Sequence, residues 1–127
     1  MKISKIIFFM ALTAIGAISC KKDNEPKSMA GTWEGKWGVF FETPSNYEKW
    51  VLEKNGDLSA YLQDGTLYAT GTWEENGDEI EVNYIDLSFS NKYRYTGTYD
   101  EGDDEIAGNW IDPENPIIGG KFEMQRK

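Results

Sequence analysis

Beyond residue 30, apolar and polar residues alternate with a period of two, in short runs separated by Gly-containing turns. That period places successive side chains on opposite faces of a strand, and no segment carries the sustained 3.6-residue apolar stripe of a helix. The pattern predicts eight strands, at about 32–41, 46–53, 57–63, 66–75, 78–86, 92–101, 104–111 and 117–126. Thr70-Gly71-Thr72-Trp73-Glu74-Glu75, continuing to Ile80 and Tyr84, recurs 26 residues later as Thr96-Gly97-Thr98-Tyr99-Asp100-Glu101, continuing to Ile106 and Trp110. Two successive hairpins built on one template favour an up-and-down order over a Greek key.

Turn chemistry tests the register, because residues facing each other across a hairpin must share a face of the sheet. Closing on Asp64-Gly65 sets Leu62 against Leu67 and Ala60 against Ala69. Asn76-Gly77 sets Trp73 against Ile80, Gly102-Asp103 sets Tyr99 against Ile106 and Tyr95 against Trp110, and Lys54-Asn55-Gly56 sets Leu52 against Leu58. All four turns deliver one apolar face. It comprises Trp33, Trp37, Val39, Phe41, Trp50, Leu52, Leu58, Leu62, Trp73, Ile80, Val82, Tyr84, Tyr93, Tyr95, Tyr99, Ile106, Trp110, Phe122 and Met124, with almost no charge. The phase fails between strands five and six, where Ile85, Leu87 and Phe89 are apolar on the wrong side; a bulge or a lip is expected there. Tyr61 and Tyr68 are expected to pair on the outer face near Lys49, as a stacked cross-strand pair or a sugar platform.

A meander with one buried face removes its exposed edges by closing, so the expected fold is all-β: an eight-stranded antiparallel up-and-down barrel over residues 31–127. Its two ends differ. The turns at 54–57, 75–78 and 100–105 are tight and acidic and lie with the N-terminus at a closed end. The opposite end gathers 42–46, 64–65, 87–90 and 112–116, longer and proline-stiffened, as a mouth lined by Phe41, Phe89 and Ile117.

Residues 1–19 change the picture. Lys2 and Lys5 precede a short apolar run from Ile6 to Ile18, which ends in small residues before Cys20, the only cysteine. This is the build of a secretory signal peptide. A lone Cys after small residues resembles the cleavage and lipidation box of bacterial lipoproteins, which implies a lipid on Cys20 and a flexible linker over 20–30. No disulfide can then form. Without Lys2 and Lys5 the net charge falls from −9 to −11, which argues against nucleic acid as a partner. Five Trp and seven Tyr argue against disorder. There is no His, and no Ser stands in a nucleophile-elbow context, so an enzyme is not expected; a carboxylate-only glycosidase would need a paired acid in an apolar setting, and none stands out. The acidic run 100–105 lacks EF-hand spacing, so neither a metal nor a cofactor is expected.

From Gly31-Thr32-Trp33 onward the chain resembles a lipocalin-type barrel, and more closely the short lipocalin-like domains in lipoproteins of the Bacteroides and Flavobacterium group (Bacteroidota). The resemblance implies an Arg across the strand-one Trp; Arg126, in phase with Phe122 and Met124, takes that place over Trp33 as a cation–π contact. The Gly-Thr-aromatic triplets are similar to avidin-type barrels as well. Lysines followed by acids after Cys20 are similar to the surface-export signals of that group, and Lys21 disfavours inner-membrane retention. The outer membrane is thus the implied location, with the lipid as anchor and either the cell surface or the periplasm faced. An eight-stranded barrel is either filled by its own side chains or holds one small molecule. The expected ligand is small and apolar or aromatic, gripped by Trp37, Phe41, Trp50, Trp73, Tyr84, Tyr95, Tyr99 and Trp110. The alternative is a solid barrel that acts on a protein or glycan through its surface.

Overall fold

The computed structural model describes residues 28–127; Cys20 and the segment before it lie outside the described residues. Eight strands run in chain order around a closed antiparallel barrel: β1 Gly31–Trp37, β2 Asn46–Leu52, β3 Asp57–Tyr61, β4 Leu67–Asn76, β5 Glu79–Asp86, β6 Lys92–Asp100, β7 Glu105–Asp112 and β8 Asn115–Arg126. β1 pairs with both β2 and β8, so no edge is left. The up-and-down barrel expected from period and turns is the fold.

Most of the register follows the turns. Ala60 faces Ala69, Leu52 faces Leu58, Tyr99 faces Ile106 and Tyr95 faces Trp110. The β4–β5 turn is displaced by one residue to Gly77-Asp78, with Gly77 at φ +65°, the left-handed conformation a type II′ turn requires at its first central position. Trp73 therefore faces Val82 rather than Ile80; a shift of two leaves every side chain on its expected face.

Three differences matter more. β1 stops at Trp37 instead of running to residue 41: Gly38 and Phe40 still donate to the Lys121 and Gly119 carbonyls of β8, but the chain turns away at Phe40, φ +56°. Phe41 is thereby tipped 96% into solvent. Between β3 and β4 the register slips: Ala60 faces Ala69 but Tyr61 faces Leu67, leaving Tyr68 as the extra residue of a bulge. Leu62 leaves the ladder and is exposed. Tyr68 turns inward, so the outer Tyr61–Tyr68 pair does not exist. Finally, β5 and β6 pair without a break, Tyr84 on Tyr93 and Ile85 on Lys92. The inward position after Tyr84 is Asp86, not an apolar residue; Ile85 and Leu87 are exposed off the cavity, and Phe89 forms an exposed lip at its rim.

The lower half of the barrel is solid. Trp50 packs on Tyr95 and Phe122 at 5.1 and 5.5 Å, and Trp33 meets Tyr99 edge-on at 5.8 Å. Gly97 makes room: a Cβ there would stand 2.9 Å from the Phe122 ring. Arg126 lies over Trp33, its guanidinium carbon 4.5 Å from the ring centroid, as the resemblance implied. It also donates to Asp104, Ala30 and Ser28. Met29 folds beneath the floor, fully buried, its carbonyl accepting from Trp33 Nε1 and its N–H bonded to Glu75. Of residues 28–30, expected to be flexible linker, Met29 belongs to the barrel's core and Ala30 packs against it, while Ser28 stays exposed.

Candidate functional site

Above the solid half, the interior opens. Strand β2 enters the barrel from the mouth with Glu48, Trp50 and Leu52 pointing inward. Glu48 shares the phase of its apolar neighbours and is only 1% exposed. A carboxyl in that position would be untenable alone. Four donors surround it. Trp50 Nε1, Tyr68 OH and Tyr84 OH approach Oε2 at 2.8, 2.8 and 2.6 Å, and Tyr95 OH approaches Oε1 at 2.9 Å. Tyr84 OH also lies 2.8 Å from both Tyr68 OH and Tyr95 OH, joining the three phenols into one chain. Three strands and the β4 bulge converge to build this cluster; without the extra residue, Tyr68 would face solvent.

Burial pushes the Glu48 carboxyl above its ordinary range, while the bonds from Tyr84, Trp50, Tyr68 and Tyr95 pull against it. Burial also raises Tyr84 and Tyr95 well above the usual phenol value, so both stay protonated donors.

The tyrosines form the base of a cavity of about 450 Å³ at the mouth. Trp37, Tyr84, Tyr93, Tyr95 and Trp110 form its aromatic wall, and Leu62, Phe89 and Ile118 its rim. Trp37 and Tyr93 stand edge-on to Trp110 at 5.7 and 5.8 Å, and Trp110 is fixed by its indole N–H to the Gly38 carbonyl at 2.8 Å. Asp86 lines the cavity while only 7% exposed. Its Oδ1 accepts from the Phe89 and Ser90 backbone at 2.6 and 3.1 Å, which holds the β5–β6 lip in place.

The eight residues expected to grip a ligand divide by depth. Trp37, Tyr84, Tyr95 and Trp110 line the cavity. Trp50 lies below it against Phe122. Trp73, bonded to the Glu53 carbonyl, and Tyr99, bonded to Asp104, belong to the closed end with Trp33 and Arg126. Phe41 and Ile117 border a separate outer depression beside Pro116 and Lys121, because the turn at Phe40 carries that loop off the mouth. Phe89 alone of the expected mouth residues stands at the rim. Glu48, Tyr68 and Asp86 were missed. For the two acids, strand phase was the available signal, since each lies two positions from an inward aromatic; the bulge that inverts Tyr68 leaves no mark in the sequence.

A larger depression, about 540 Å³, lies on the outer wall across β4 to β7. Glu74, Glu75, Glu79, Glu81 and small polar residues line much of it, so it offers little of the apolar surface that drives neutral ligands out of water. Among the described residues no cluster of His, Cys, Asp or Glu is placed to hold a metal ion. No family model matches this sequence, and no curated protein or solved structure matches it significantly.

Proposed function

We propose that this is a lipid-anchored outer-membrane protein whose barrel binds a small apolar or aromatic molecule at its mouth. The observation that carries the reading is the cavity itself: about 450 Å³, walled by Trp37, Tyr84, Tyr93 and Trp110, above a lower half packed solid. That volume falls in the range of small-molecule sites, and its composition, mostly aromatic with a few convergent polar groups, matches theirs. Cys20 and the run before it support the anchor. With the tether and the floor at the same end, the mouth points away from the bilayer.

The test is tryptophan emission. A small aromatic ligand entering the cavity reaches Trp37 and Trp110 first, so it quenches emission in a saturable way, and Trp110→Ala weakens binding without unfolding the domain. An absence of saturable quenching would count against the pocket. One observation favours a second reading, a partner-binding module with no lumenal ligand: Phe41, on the β1–β2 loop, and Ile117, near the start of β8, stand 96% and 82% exposed on one outer depression. Under that reading, Phe41→Ser abolishes capture of a partner while ligand titrations stay flat.

A further inference from the structure

The charge around the cavity is one-sided. Asp86 lines it and is more than nine-tenths buried, with one carboxylate oxygen occupied by two backbone N–H groups and the other accepting nothing from the described residues. Among the described residues no Lys or Arg lines the space. Its remaining walls include Trp37, Tyr93 and Trp110, whose ring faces carry negative quadrupole potential. A purely apolar ligand would leave Asp86 desolvated and unanswered, which is costly for a carboxylate. A ligand bearing a positive charge on an apolar body would answer it and would also gain from each aromatic face it covers.

We infer that the mouth cavity selects small organic cations, such as aryl or alkyl ammonium compounds, over neutral molecules of the same shape. The inference rests on the ligand-binding reading above and narrows it to a chemical class. The acidic surface of the whole domain adds to it by drawing cations toward the mouth.

Phenyltrimethylammonium and tert-butylbenzene separate the two claims, because they share a shape and differ in charge. Each is titrated into the purified protein, following tryptophan emission and heat. The cation is expected to bind about tenfold or more tighter than its neutral twin, the scale of a desolvated cation–π and carboxylate contact. Asp86→Asn keeps an oxygen for the Phe89 and Ser90 N–H groups, so it preserves the lip while removing the charge; it is expected to erase most of the preference. Should that variant fail to fold, Tyr93→Leu serves instead, lowering affinity for the cation more than for the neutral compound. Equal affinities, or tighter binding of tert-butylbenzene, overturn the cation inference and leave the pocket standing. Binding of neither compound overturns both.

Discussion

Replacing Glu48 tests whether the buried cluster is built as the geometry indicates. In Glu48→Leu, Trp50 Nε1 loses its acceptor. The three phenols keep two mutual contacts, Tyr68 to Tyr84 and Tyr84 to Tyr95, which can absorb two of their three protons. Two buried donors are left unpaired, at about 1–3 kcal/mol each, or about 2–6 kcal/mol in all before the relief of no longer burying a carboxyl. Glu48→Gln behaves differently. Its carbonyl can take the Oε2 place and its amide can donate to Tyr95, so the cluster re-forms with a small loss. What the Gln variant does lose is a proton equilibrium. Because burial raises Glu48 above its unfolded value of 4.5, the folded protein holds that proton more tightly than the unfolded chain. The stabilisation this gives is complete below the unfolded value and disappears as pH rises through the raised folded one. Denaturant melts followed by circular dichroism at about pH 5 and about pH 8 should therefore show the wild type losing stability relative to Glu48→Gln at the higher pH. Each unit of elevation is worth about 1.4 kcal/mol. A wild-type-to-Gln difference that stays flat or grows with pH, together with a Leu variant as stable as wild type, would refute the reasoning.

Trp33→Ala should cost about 3–5 kcal/mol in the same melts, the range for deleting a buried aromatic, and a variant within error of wild type would contradict the floor described here. Arg126→Ala removes two ring contacts, over Trp33 and Tyr99, and three hydrogen bonds on a partly exposed side chain, and should cost about 1–3 kcal/mol. Cys20→Ser should release the protein from the membrane fraction; persistence there after salt washing would argue against the lipid anchor.

The barrel was legible because turn chemistry and period are local signals that agreed with each other. Tyr99 on Ile106 and Leu52 on Leu58 follow from counting outward from their turns. Arg126 over Trp33 was likewise reachable from strand phase joined to a family resemblance. The site was less legible, for three physical reasons. Glu48 and Asp86 occupy inward positions that polarity assigns to solvent, and only their partners make them tolerable. Tyr68 is inverted by a bulge set by how β3 and β4 close over Leu62 to Thr66, which no residue type announces. Phe41 was placed inside by extending β1 four residues too far, past the turn at Phe40. Depth along the barrel was also invisible in a set of inward aromatics, which is why Trp73 and Tyr99 belong to the floor rather than the mouth.

The central claim is positional: the proposed ligand space is the mouth cavity, above a floor packed solid by the described residues. Intermolecular nuclear Overhauser contacts between the tert-butyl protons of tert-butylbenzene and the protein's aromatic rings test it directly. Contacts are expected to Trp37, Tyr93 and Trp110, and none to Trp33 or Tyr99. Contacts confined to the floor rings or to the outer wall, or none at a saturating concentration of the compound, would contradict it.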